Sequence, residues 1–382
     1  KLEYAKKQFK IIEDYAQAHG IKLHIIKASP SIVSRWQGKV IGGNHTNFRA
    51  DNTKGRQCAI LWKIDSAEKE LAKWTKIAKS LGYELLQIFG SRIDESESRK
   101  ANLNKINAIA GDSVRVNGVL CYYPVYNWTV NDIWDYLLFC ENDLNSKAPA
   151  ISDGFEETIN FYNNINAKEC SFDAKDASVC KGRDGCVFCF ASLSEDVDRE
   201  LANNNPHIAG LMQLRSFMLQ NDLNYNNRNF VSSKSKGGFV IHTPSGFSGK
   251  YLELLFSLGL TLQIREEERA RKVKELVDSG MHISINGAEP LTEPQFVVFD
   301  IEDILYINLS WMMRGVSLET NKALKIYQDI YHNGLRVEFP DNFKSDNENE
   351  ESFSEKGSLW VGNNNQGSRL IDSLPSSDSR SW

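Results

Sequence analysis

The sequence predicts an α/β protein: a parallel sheet, then a cysteine-rich metal insertion, then a helical C-terminal region. Three observations carry this reading. Strand-like and helix-like stretches alternate as far as Leu138, the pattern of parallel strands joined by crossover helices. Four of the seven cysteines crowd into residues 170–189. Beyond them, apolar residues recur at helical steps up to Ile330. The implied boundaries are 1–145 for the sheet domain, 146–200 for the cysteine-rich segment, 201–340 for the helical region and 341–382 for a tail.

Tyr4, Phe9, Ile12 and Tyr15 recur at near-helical steps, so residues 1–18 read as a helix stopped by Gly20. Residues 21–26 follow as a short strand. A helix feeding a strand is half of a βα unit, so a further strand is expected upstream. Residues 27–55 are polar and weakly periodic, the mark of a lid, a binding loop or disorder. Asp65 and Glu68 suggest a capping box. Leu71, Trp74, Ile77, Ala78 and Leu81 then form an apolar stripe that Gly82 closes. Residues 83–89 are a mostly apolar strand, as expected for a sheet covered on both faces. Residues 119–123 form another strand, and Thr129 with Asp132 caps a helix carrying Ile133, Trp134, Leu137 and Leu138. Cys121 and Cys140 fall in this apolar strand and helix and read as core.

Past the cysteines, residues 203–236 are rich in Asn and Ser around an apolar helix at 208–219. Helices are expected at 248–260, 264–277, 299–312 and 318–330. The charged run in the second of these (REEERARKVKE) reads as a solvated face held by i,i+4 pairs. From residue 341 the chain is rich in Asn, Ser and Glu with few aliphatics, so 341–382 is expected to be disordered.

Composition narrows the function classes. With 41% hydrophobic and 25% charged residues, the chain is an ordinary globular sequence long enough to bury a sizeable core. No run approaches the roughly 18 apolar residues that a membrane helix needs. A net charge of −5 gives no overall drive toward nucleic acid, so a DNA substrate requires a local basic patch or partner proteins. Clustered cysteines fit a reducing, cytoplasmic location.

Cys170, Cys180, Cys186 and Cys189 form C-x9-C-x5-C-x2-C, with Gly182 and Gly185 ahead of the last pair. A C-x-x-C pair places two thiolates on one metal, and two more from a nearby loop complete four ligands. Tetrahedral thiolate ligation suits zinc or an iron–sulfur cluster, and the spacing does not separate them. Free buried cysteines or disulfides are the bland alternative, which clustering in one segment disfavours.

Directly after the 83–89 strand comes G-x-R-x-x-E-S-x-x-R, spanning Gly90 to Arg99. Ligands of open α/β sheets bind beyond the carboxyl ends of the strands, where this loop belongs. Gly90 lets backbone approach a ligand. Arg92 and Arg99 offer planar donors for phosphate or sulfate oxygens, Glu95 orients an arginine or accepts from a ribose hydroxyl, and Ser96 caps the next helix. The competing reading is a strand-to-helix turn with surface ion pairs. Cys58 is either a small buried hydrophobe or a sulfur-handling thiol whose pKa is lowered by Arg56 or Lys63.

The loop resembles the signature of the phosphoadenosine-phosphosulfate reductase family within the PP-loop superfamily. Two further stretches are similar to the family's motifs in the right order. Arg56, Cys58 and Lys63 form R-x-C-x4-K, with Gln57 and Ala59 where the family has Trp and Thr, and PVYNWTVNDIWDYL matches its helix entry. The cysteine spacing lacks the adjacent Cys-Cys pair of sulfonucleotide reductases and is similar to DndC-type DNA phosphorothioation sulfurtransferases. The resemblance implies a nucleotide-binding sheet of the adenine nucleotide alpha-hydrolase kind. It implies ATP with magnesium, a [4Fe–4S] cluster on the four cysteines, and Cys58, Arg92 and Arg99 as catalytic residues. Gly90, Glu95, Ser96, Arg56 and Lys63 join the arginines around the nucleotide. A cysteine desulfurase as sulfur donor, other phosphorothioation proteins and DNA are the implied partners. A sulfonucleotide reductase, or a zinc-stapled nucleic-acid or protein-binding module, are the alternatives. The family's S-G-G-x-D-S loop does not occur in this sequence. It would precede a helix like 1–18, so a missing N-terminal piece is the expectation.

Overall fold

The computed structural model describes residues 2–47, 60–141, 150–152, 155–159, 188, 199, 202–203, 205–222, 224–236, 239–280, 290–340 and 359–362. The chain divides into two compact units: Lys1–Ser29 with Asp65–Cys186, and Pro30–Ile64 with Val187–Trp382.

The first unit opens with α1, Leu2–Ala18, ended by Gly20 at φ +64°. Residues 21–29 form neither helix nor strand, so the strand expected at 21–26 is not made. Ile21, Leu23, Ile25 and Ile26 are exposed there, although His24 lies against Trp74, with ring centroids 5.6 Å apart. α2 (Asp65–Ser80) carries the predicted stripe and stops at Gly82, φ +76°. Then come β1 (Leu86–Ile88), α3 (Glu97–Lys105), β2 (Ser113–Val116), β3 (Val119–Tyr122) and α4 (Val130–Leu138). The capping box of α4 is formed as expected. The Thr129 hydroxyl accepts from the Asp132 N–H at 3.2 Å, and the Asp132 carboxylate accepts from the Thr129 N–H at 2.7 Å. That backbone bond, reinforced by the Thr129 hydroxyl, holds the Asp132 carboxyl below its usual range.

The sheet is small and mixed, in the order β1-β3-β2. β1 runs parallel to β3, with Gln87 opposite Cys121, while β2 and β3 are an antiparallel hairpin pairing Val114 with Cys121. Asn117 and Gly118 sit at φ +50° and +81°, the left-handed pair that a tight two-residue hairpin turn requires. One sheet face is covered: Leu103 and Ile106, from α3 and its end, pack with Val114, Val116, Cys121 and Tyr123. Strand alternation puts Leu86 and Ile88 on the other face. Ile88 is 65% exposed, so among the described residues β1 is not the strand covered on both faces that its sequence suggests. Cys121 and Cys140 are buried and unbonded, and burial raises both thiol pKa values.

The second unit holds the larger core, and part of it comes from the segment read as a polar loop. Gln37–Ile41 is a π-helical turn in which Trp36, Val40 and Ile41 are buried. Trp36 stacks on Phe188 at 3.8 Å between ring centroids. The carbonyls of this turn are claimed from elsewhere in the unit. Trp311 Nε1 donates to the Ile41 carbonyl at 2.6 Å, and Ser310 Oγ to that of Gly42 at 2.6 Å. Residues 30–47 therefore contribute to the core of the second unit rather than forming a polar loop.

α5 (Ala209–Asn221) follows, then β4 (Arg228–Lys236), β5 (Phe239–Phe247), α6 (Gly249–Asp278), α7 (Ile301–Arg314) and α8 (Lys322–Tyr331). The two helices expected at 248–277 are one 30-residue helix, because no breaker separates them. β4 and β5 form a hairpin inside the region read as helical, and β6 (Leu359–Gly362) adds to β5 from the segment read as disordered. The rest of 341–382 lies outside the described residues.

The charged run on α6 is not simply a solvated face. Glu266 is buried and accepts from two nitrogens of Arg269, each at 2.7 Å, and from the Gln295 N–H at 2.7 Å. Glu268 accepts from Arg336 at 2.7 Å, Glu267 accepts from the Tyr331 hydroxyl at 2.9 Å, and Arg265 pairs with Glu338. The contacts of Glu267, Glu268 and Arg265 fasten α8 and the chain after it to α6. The Glu266–Arg269 pair lies within α6, as the sequence suggested, whereas the contacts of Arg265, Glu267 and Glu268 are tertiary ties.

Candidate functional site

The parallel pairing of β1 with β3 brings two chain segments to one end of the sheet. The Phe89 N–H donates to the Tyr122 carbonyl at 2.9 Å, and the Ile93 N–H donates to the Tyr126 carbonyl at 3.0 Å. The loop after β1 is thereby fastened to the loop after β3, just beyond the carboxyl ends of both strands. Phe89 stacks on Tyr123 with centroids 5.4 Å apart, and the Ile93 side chain packs into the core beneath. The loop is anchored at its apolar positions, while its polar residues project from the anchor.

Among the described residues, its two chain neighbours aside, Gly90 has no atom within 4 Å of where a Cβ would stand, and its backbone is outside the left-handed region. The fold itself does not require glycine there. Arg92 Nη1 donates to Asp94 Oδ2 at 3.0 Å, and Arg92 is the more enclosed of the two loop arginines. A single 3₁₀ turn, Ile93–Glu95, reverses the chain into α3. Ser96 is the N-cap of α3, its hydroxyl accepting from the Arg99 N–H at 3.2 Å. One turn on, Arg99 Nε lies 3.5 Å from Glu95 Oε1, both side chains largely in solvent.

The cap and the two exposed ion pairs are features that both readings of the loop anticipate. Glu95 orients Arg99, Ser96 caps the helix, and Gly90 leaves open space. Asp94, which the sequence reading did not single out, is the partner of Arg92. Tyr126 was also overlooked, since its role is carried by its backbone carbonyl and follows only from the parallel pairing. Exposed carboxylates paired with arginines are easily displaced, so an anionic ligand can take over either guanidinium at small cost.

Lys63 is not part of the first unit. It is exposed in a π-helical turn, Ile60–Ile64, which belongs to the second unit. Arg56 and Cys58 fall outside the described residues, as do Cys170, Cys180, Cys186 and Cys189. Among the described residues, no three His, Cys, Asp or Glu side chains gather as a metal site. Trp128 and Tyr136 contact each other, centroids 5.5 Å apart, on the α4 side of the loop.

Comparisons with protein-family models, with curated proteins and with solved structures give no match to this chain. No helix among the described residues is long and apolar enough to cross a membrane.

Proposed function

We propose that this chain is an ATP-dependent sulfurtransferase related to the phosphoadenosine-phosphosulfate reductases, acting in DNA phosphorothioation. The observation that carries the reading is the position of Gly90, Arg92, Glu95, Ser96 and Arg99 together at the carboxyl end of a parallel strand pair. That is the end at which open α/β sheets take their ligands. In this reading Arg92 and Arg99 exchange Asp94 and Glu95 for the phosphate oxygens of ATP, which arrives with magnesium. They neutralise charge at the α-phosphorus as a DNA phosphate oxygen attacks it and pyrophosphate leaves. The adenylated phosphate then carries AMP as a leaving group, which a sulfur nucleophile supplied by a cysteine desulfurase displaces. Cys58 is the candidate to carry that sulfur as a persulfide, whose outer sulfur attacks phosphorus as AMP leaves. A thiol reductant then attacks the Cys58 sulfur, releasing the phosphorothioate and forming a disulfide, with Arg56 and Lys63 as the cations of the motif.

The donor set of Cys170, Cys180, Cys186 and Cys189, four thiolates, has the chemistry of a [4Fe–4S] ligand set. Bound there, the cluster supplies electron transfer or sulfur handling. The protein's net negative charge leaves DNA to be held with partner phosphorothioation proteins. The nucleotide reading is tested by calorimetric titration with ATP and magnesium. Arg92→Ala and Arg99→Ala should each weaken binding about tenfold or more, the loss of a charge-assisted contact, with unchanged circular dichroism. Equal affinity in wild type and both variants would remove the loop from the nucleotide site.

A further inference from the structure

The polar side of α2 carries one sign of charge. At helical steps of about 100°, Lys69, Lys73, Lys76 and Lys79 fall within an arc of about 120°, opposite Leu71, Trp74, Ala78 and Leu81. All four lysines are exposed, and Asp65 in the first turn is the one acid on their arc. In α1 and α8, by contrast, Lys10 pairs with Asp14, Lys7 with Glu157, and Lys322 and Lys325 with Glu319. On α2, Lys73 reaches Glu70 only at 3.6 Å. Lys69, Lys76 and Lys79 have no carboxylate in salt-bridge reach among the described residues. Arg115 bonds the Glu84 carboxylate and holds its pKa low, with Lys79 adding to the effect from further off. Like charges three or four residues apart oppose a helix, and Lys69–Lys73, Lys73–Lys76 and Lys76–Lys79 are three such pairs. The stripe thus concentrates positive charge that the described fold leaves largely unneutralised.

We propose that this stripe docks the phosphate backbone of duplex DNA, the choice of DNA resting on the reading of DNA as the sulfur acceptor. The four lysines span about 15 Å of helix axis, a length over which one strand of a duplex presents about four phosphates. The contact is charge to charge, so it positions the duplex without reading its sequence. The chain's net charge of −5 does not prevent this, because salt near 0.1 M screens exposed charges beyond about 10 Å and leaves the local patch to act. A membrane surface is the competing polyanion. An interfacial helix sinks its apolar side into lipid, whereas the Trp74 ring on that side of α2 lies against His24. The lysine side is what α2 offers to a partner. It belongs to the same unit as the arginine loop, so part of the hold on DNA comes from this chain itself.

The test is fluorescence anisotropy of a labelled duplex of about 20 base pairs, titrated with the whole chain without ATP between about 50 and 200 mM KCl. Four phosphate contacts predict an affinity that falls about a hundredfold over that range. Lys69→Gln, Lys73→Gln, Lys76→Gln and Lys79→Gln combined should weaken binding at the lower salt at least about tenfold. They should also reduce the slope of log affinity against log salt by about 3, and Lys76→Gln alone by about 1. The melting temperature should not fall, since the like-charge pairs are removed. Lys7→Gln, Lys10→Gln, Lys322→Gln and Lys325→Gln combined change the net charge equally and should leave the slope as it is. No duplex binding at the lower salt overturns the proposal, as does binding to phosphatidylserine vesicles but not to the duplex. Duplex binding whose slope survives the α2 replacements, or falls equally in the control, removes the stripe while leaving DNA as the acceptor. Duplex binding through the stripe by a chain that binds no ATP keeps the docking surface and removes the nucleotide reading.

Discussion

At the scale of residues, Gly90 separates the demands of the fold from those of a ligand. Nothing among the described residues crowds its missing Cβ, and its backbone is not left-handed. Gly90→Ala should therefore leave the melting temperature unchanged and still weaken ATP binding about tenfold, because only a bound molecule needs that space. Equal binding would show that glycine is incidental there. A second residue carries a pH dependence. Asp303 is buried at the start of α7, where it completes a capping box with Asp300 and accepts from Arg35 Nη1 at 3.2 Å. Burial pushes its carboxyl up to about 6, despite the neighbouring guanidinium and the backbone bond. The folded protein therefore keeps a proton that the unfolded chain releases near pH 4. This contribution is complete below the unfolded carboxylate range and is lost as pH rises through about 6. Asp303→Asn should remove that part of the pH dependence, seen as a flatter melting temperature between pH 4 and 7 than the wild type gives.

At the scale of elements, what the sequence disclosed depended on whether its signal was local. Thr129 with Asp132, Gly82 and the helix of α2 are signals within a few residues, and the structure forms each, although Ile77 and Leu81 of the α2 stripe are exposed. Asn117–Gly118 between apolar residues is an equally local signal for the β2–β3 hairpin, which the structure forms where a parallel sheet was expected. The π-helical turn at Gln37–Ile41 was not legible, because its i,i+5 spacing matches neither the strand nor the α-helix period. Its tightness rests on Gly38, where a Cβ would stand 2.0 Å from the Ile32 carbonyl oxygen and 3.1 Å from Tyr306. Gly38→Ala should accordingly cost about 2 kcal/mol or more in urea unfolding, as overpacking of backbone does. A change within 0.5 kcal/mol, the ordinary surface range, would mean that the turn is loose. The paired residues of the candidate loop show the same limit. Glu95 and Arg99 are one helical turn apart and could be read, whereas the tie from Ile93 to Tyr126 depends on β1 lying beside β3.

At the scale of the whole molecule, the two units divide the work differently from the order of the chain. Pro30–Ile64 leaves the sequence of the first unit to build the second, so the sheet domain expected at 1–145 is interrupted. The first unit has a small core around Leu103, Ala108, Cys121 and Tyr123 and presents the arginine loop. The second has the deep core on α6 and α7. Sulfur chemistry enters through the four cysteines, and the proposed function stands or falls with what they bind. The decisive measurement is iron, acid-labile sulfide and zinc per chain after anaerobic purification, with Cys170→Ser and Cys186→Ser alongside. The account predicts about four iron and four sulfide per wild-type chain, with both lost in each variant. About one zinc per chain with no sulfide would make the segment a structural staple and contradict the sulfurtransferase reading.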